Sequence, residues 1–148
     1  MNYLEGDILD VNSGIICHQV NCHQTMGSGL ALQIKNKYPY VFETYYKAPQ
    51  LLGTTLVVPV IPGGEVYVAN LFGQDLHDSR VRQTNYEALY RALEQLAIWV
   101  ESCKTRNGMA LPIYFPKGMS SSLAGGDWNI VQCMINHFFP DANIMEYK

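Results

Sequence analysis

The sequence predicts an α/β domain with helices on both faces of a mixed sheet. Three observations predict it. Apolar, β-branched runs alternate with segments whose apolar residues recur every three or four positions. The 148 residues suit one domain, 1–148, with enough chain to bury a core. Hydrophobic residues make up 48% and charged residues only 16%, which excludes a disordered chain.

The elements follow in order. Residues 2–9 open with a short strand, and 14–20, carrying Ile15, Ile16 and Val20, read as a buried one. Residues 21–29 are polar and glycine-rich, hence a loop. Leu30, Ile34 and Tyr38 then fall at helical spacing until Pro39, and 40–46 adds a helical turn. Residues 56–60 and 66–71 are strands joined as a hairpin by the turn signal Pro62-Gly63-Gly64. The longest helix starts near Thr84, which has capping-box spacing with Glu87. Leu89, Leu93, Leu96 and Val100 share one of its faces, and Asn107-Gly108 stops it. Residues 109–114 make a strand and 117–126 a loop of glycines and serines. Asp127 caps a last helix whose face carries Val131, Met134, Ile135 and Phe138, stopped by Pro140, and 143–147 is the closing strand.

Composition excludes several functions. The formal charge is −3 and the basic residues are scattered, which argues against broad nucleic-acid binding. No apolar run is long enough for a bilayer, and residues 1–10 lack the basic start of a signal peptide. Cys17, Cys22, Cys103 and Cys133 show no CxxC spacing, so reduced thiols in a cytoplasm (a host's, for a viral chain) are expected. The Cys17-His18 and Cys22-His23 pairs are adjacent residues without zinc spacing, so neither a metal nor a cofactor is expected. A monomer is expected.

In such sheets ligands sit beyond the carboxyl ends of the strands. Two loops there stand out. Met26-Gly27-Ser28-Gly29-Leu30 precedes a helix, where glycines let main-chain N–H groups approach an anion. A phosphate or diphosphate suits it; a plain strand-to-helix turn is the other reading. Position 32 is Leu, so the dinucleotide fingerprint is incomplete, and no Gly-Lys-Ser/Thr follows. The second loop, with Ser120, Ser121, Ser122, Leu123, Ala124 and Gly125, has the same logic, and two such loops can clamp a diphosphate. Asp7 is either a cap or an acceptor for an exocyclic amine such as adenine's. Cys22 has no activator and no loop-closing Arg, Ser28 standing there instead, so it reads as packing. His77 and His137 read as surface residues. His23 is the titratable group best set to reach a ligand. Asp127 is a helix cap first and a general acid or base second.

Four blocks carry a resemblance: Gly6-Asp7-Ile8; His18-Gln19-Val20-Asn21-Cys22; Met26-Gly27-Ser28-Gly29-Leu30-Ala31; and Leu123-Ala124-Gly125-Gly126-Asp127-Trp128. In this order they resemble the macrodomain family, in particular its stand-alone ADP-ribose 1″-phosphate phosphatase-like branch. Arg82-x-Thr84-x-Tyr86-Glu87 also fits the family. The resemblance covers essentially the whole chain and implies a single macrodomain, a three-layer α/β/α sandwich that binds ADP-ribose or ADP-ribose 1″-phosphate.

By that similarity Asp7 contacts the adenine amine and Ile8 supplies a backbone donor. Asn21 holds the distal ribose, and Met26, Gly27, Ser28 and Gly29 line one side of the diphosphate. Ser120, Ser121, Ser122, Leu123, Ala124 and Gly125 cover the other, and Phe72 or Tyr114 borders the sugar or base. The expected chemistry is hydrolysis of the terminal phosphate, with His23 donating to the leaving oxygen or orienting water, and Asp127 acting as base or holding His23. The alternatives are a non-catalytic binder of ADP-ribose or a related NAD-derived nucleotide, and a hydrolase removing ADP-ribose from macromolecules.

Two stretches depart from the family pattern. Residues 113–122 are longer, with Phe115-Pro116-Lys117 inserted. Ala69-Asn70-Leu71-Phe72-Gly73 lacks the lysine that related glycohydrolases carry, which disfavours that branch.

Overall fold

A computed structural model describes residues 1–75, 84–108, 110–121 and 124–148. Six strands form one sheet: β1 (Asn2–Glu5), β2 (Gly14–Val20), β3 (Thr55–Pro59), β4 (Val66–Phe72), β5 (Ile113–Pro116) and β6 (Asn143–Glu146). Their order is β1-β6-β5-β2-β4-β3. Every neighbouring pair is parallel except the β3–β4 hairpin. Four helices cover it: α1 (Gly29–Lys37), α2 (Pro39–Lys47), α3 (Tyr86–Asn107) and α4 (Trp128–Phe138).

Strand alternation builds the layers. On β2, Ile15 and Cys17 point to one face and pack with Leu89, Leu93 and Leu96 of α3 and Val131 and Ile135 of α4. Ile16 points to the other and packs with Ile34 of α1 and Val41 of α2. Both faces of β2 are therefore dry, which explains its near-continuous apolar sequence. The mixed sheet between two helical layers is the expected α/β/α architecture. None of the helices is long and apolar enough to cross a membrane, among the described residues.

Several local expectations need correction. Thr84 does not cap α3; Asn85 does, its side chain accepting from the Ala88 N–H, while Thr84 is drawn into a polar network described below. The strand expected at 109–114 lies later, at Ile113–Pro116, because pairing with β2 begins at Ile15 opposite Ile113. The turn at 40–46 is a full nine-residue helix with Pro39 in its first turn, where a missing N–H costs nothing. Gly108 ends α3 at φ 67°, as its sequence suggests. Expectations for His77, Arg82, Ser122 and Leu123 lie outside the described residues.

Because β1, β2, β4, β5 and β6 run the same way, their carboxyl ends share one edge of the sheet. Asp7, residues 21–28, Gly73 and residues 117–121 and 124–127 emerge there.

Candidate ligand cleft

The two glycine-bearing loops meet over one cleft of about 550 Å³. The first loop contributes Asn21, Thr25, Met26, Gly27, Ser28 and Gly29, and the second contributes Lys117, Gly118, Met119, Ser120 and Ala124. The floor comes from the end of β2 at His18, Gln19 and Val20, with Gln74 beside it. Ser28 flanks α1 in extended conformation and uses no side-chain cap, so the first N–H groups of α1 face the cleft end of the helix without a serine oxygen over them.

The first loop is braced from within. Asn21 Nδ2 donates to Thr25 O and Thr25 Oγ1, at 3.0 and 2.8 Å. Asn21 Oδ1 accepts from His23 N–H, and the Tyr45 hydroxyl lies 2.9 Å from it and 2.8 Å from Asn21 O. The amide of Asn21 is thus saturated by the loop itself. Burial pushes the Tyr45 phenol up to about 12, so it remains a donor. Tyr45 is fully buried and stacks on Phe72 at 5.7 Å between centroids.

The second loop is tethered from outside. Gln19 Oε1 accepts from Ser120 Oγ at 2.7 Å, and Gln19 Nε2 donates to Thr84 Oγ1 at 3.0 Å and Gln74 Oε1 at 2.9 Å. Thr84 Oγ1 donates to Ser120 O at 2.8 Å, and Gly126 N–H donates to the same oxygen.

Of the other expected site residues, several stand off the cleft wall. Phe72 is 1% exposed, stacks on Tyr45 and is not among the residues that line the cleft. His23 is half-exposed and lies 3.4 Å from Asp75. Asp127 Oδ1 accepts from Asn129 N–H, capping α4, and its own N–H bonds the Tyr86 hydroxyl. Asp7 Oδ1 accepts from Leu9 N–H at the start of a short 3₁₀ turn, Ile8–Asp10, with Ile8 buried. Ser121 Oγ donates to Gly118 O, and Gly125 adopts φ 73°. Tyr114 packs into the α1 side of the core.

Among the described lining residues only His18 and Lys117 have ionisable side chains. Asn70 Nδ2 donates to Leu56 O, which can only accept, so Asn70 Oδ1 faces His18 and takes the Nε2 proton at 2.6 Å. Burial pulls the His18 imidazole down to about 4, and the Asn70 bond opposes this; the ring is neutral at pH 7. Lys117 pairs with Glu146, which raises the lysine and lowers the carboxylate. Burial, with Asp75 nearby, pushes the Cys22 thiol up to about 11, so it is no nucleophile. No group of three or more metal-ligating side chains is present among the described residues.

Sequence reasoning missed His18, Gln19, Gln74 and Lys117 as cleft residues. A signal existed for the first two: polar residues at the carboxyl end of an otherwise apolar buried strand.

The arrangement has relatives. The macrodomain of Mycobacterium tuberculosis DarG superposes with a TM-score of 0.80 at 24% identity, over 99% of this chain and 95% of that one. The chain has the macrodomain fold. A Thermosipho africanus DarTG structure in complex with ADP-ribose shares it at a TM-score of 0.74 and 15% identity, over 99% of this chain and 41% of that one. The Saccharomyces cerevisiae ADP-ribose 1″-phosphate phosphatase is 25% identical, over all of this chain and 98% of the yeast protein. A Mycobacterium tuberculosis DNA ADP-ribosyl glycohydrolase is 42% identical over 48 residues, 32% of this chain. That match spans only 14% of the mycobacterial protein. No family model matches this sequence.

Proposed function

We propose that the cleft binds ADP-ribose and that the chain hydrolyses the terminal phosphate of ADP-ribose 1″-phosphate. One observation carries the reading: two glycine-bearing loops face each other across one cleft, with the start of α1 between them. Main-chain N–H groups at such a helix start suit a pyrophosphate without a metal ion. The full-length likeness to the yeast phosphatase supports the choice of nucleotide.

In this reading the second carboxylate oxygen of Asp7 accepts from the adenine amine, and Ile8 adds a backbone donor. Met26, Gly27, Ser28 and Gly29 hold the diphosphate from one side. Ser120, Ser121, Ser122, Leu123, Ala124 and Gly125 hold it from the other. Asn21 acts on the ribose indirectly, by fixing the shape of the first loop, since its amide is already spent. Water attacks the terminal phosphorus, the bond from phosphorus to the sugar oxygen breaks, and that oxygen takes up a proton. His23 supplies the proton and Asp127 receives one from the water.

A second reading, binding without turnover, is favoured by one observation. His23 and Asp127 are engaged by Asp75 and the α4 N-terminus, away from the cleft lining. Phosphate release from ADP-ribose 1″-phosphate separates the two. Release by the wild type that drops at least a hundredfold in His23→Ala or Asp127→Ala supports catalysis. Calorimetric binding of ADP-ribose with no release establishes the second reading, and no binding at all removes both.

A further inference from the structure

We propose that Gln19 is the positioning residue of the cleft: by fixing Ser120 it sets how closely the second loop approaches a bound phosphate. This rests on the reading that the cleft takes a pyrophosphate. Gln19 is the last side chain of β2 but one, on the α3 side of the sheet, and reaches past the strand end to three partners. Two of them, Thr84 and Ser120, also bond each other. The result is a closed ring of hydrogen bonds joining the end of β2, the entry to α3 and the second loop.

Ser120 is the residue that needs holding. Its φ is 69°, in the left-handed region that a side chain disfavours. Three contacts keep it there: its Oγ on Gln19, and its carbonyl on Thr84 Oγ1 and Gly126 N–H. Its carbonyl is engaged by Thr84 and Gly126, neither of which lines the cleft, while Ser120 and Ala124 both line its wall. Space is reserved for the tether as well. A Cβ on Gly73 would lie 2.5 Å from Gln19 Oε1, so only glycine there lets the amide reach its position. Without Gln19, Ser120 loses its hydroxyl anchor and Thr84 loses a donor, and the loop relaxes toward ordinary φ.

Two measurements on the full chain test this. Amide hydrogen exchange at 118–121 should accelerate roughly tenfold in Gln19→Leu and by less in Gln19→Glu, whose carboxylate still accepts from Ser120 but cannot donate to Thr84 or Gln74. Calorimetry with ADP-ribose and with inorganic pyrophosphate should show roughly tenfold weaker binding of both probes for Gln19→Leu. Unchanged exchange in Gln19→Leu overturns the tether. Faster exchange with unchanged affinity for both probes overturns its role in binding. A wild type that binds neither probe overturns the functional reading instead, and the exchange data still decide the tether.

Discussion

The two loops of the cleft are held by opposite means. The first, residues 21–28, is anchored to the hydrophobic core through Tyr45, a fully buried ring stacked on Phe72 whose hydroxyl reaches Asn21. The second, residues 117–127, is anchored to side-chain amides and hydroxyls at the edge of the sheet. Among the described residues each contains one non-glycine residue with left-handed φ, Gln24 at 60° and Ser120 at 69°. Gln24 is held at an exposed edge, its N–H on Gln50 and its side chain on Tyr46 O. The contrast teaches that similar glycine-rich sequences reach similar places by different energetics. A loop tied to the core opens with the domain, whereas one tied by polar contacts can open alone.

The strongest way to break the comparison is Tyr45→Ala. Removing a buried aromatic ring costs about 3–5 kcal/mol, and here it also strips Asn21 of its brace. Urea unfolding should show that loss, with first-loop exchange rising in step with global unfolding. A loss under about 1 kcal/mol would mean that the first loop is not tied to the core.

Acid comes next. His18 lies beneath the first loop with its imidazole held down to about 4, against an ordinary 6.5 in the unfolded chain. The unfolded state therefore binds the proton first as pH falls. Stability from this group is complete above about pH 6.5, falls through the interval from 6.5 to 4, and is gone below it, a change on the order of 3 kcal/mol. Urea midpoints at pH 7 and pH 4 should differ by more in the wild type than in His18→Gln, which has no proton to take up. Equal slopes would contradict a neutral buried ring.

How much of this was legible in the sequence follows the same division. The layers were legible because Ile15, Ile16 and the Leu89–Leu93–Leu96 row obey simple periodicities. The two loops were legible as a pair because glycines and serines stand between strand and helix. The roles of individual side chains were not. Asn21, Asp7 and Asp127 each carry groups that suit a ligand, yet each spends at least one of them on a neighbouring backbone N–H. Local bonds of that kind depend on loop shape, which no residue spacing encodes. Gln19 and Thr84 lie 65 positions apart, and only the fold brings them together.

Gly126→Ala sharpens the contrast from the other side. A Cβ there would stand 2.5 Å from the Ser120 carbonyl oxygen and 3.2 Å from the Thr84 side chain, and backbone cannot yield cheaply. We expect a loss of about 1–3 kcal/mol. Exchange should rise at 118–121 and stay unchanged at 21–28, a stretch anchored on Tyr45, Tyr46 and Gln50. Parallel opening of both loops would show that they are one unit.

The smallest effect belongs to Ser120→Gly, and its sign is informative. Glycine relieves the left-handed φ, worth about 1–2 kcal/mol, but adds unfolded-state entropy of about 0.5–1 kcal/mol and loses the Gln19 bond, worth about 1 kcal/mol. The sum is close to zero. Ser120→Ala loses the same bond and keeps the strain, so it should fall about 1 kcal/mol below wild type. If alanine instead proves about 0.5–1 kcal/mol more stable than glycine in urea melts, Ser120 bears no strain, and the polar ring closes around a conformation the loop would adopt unaided.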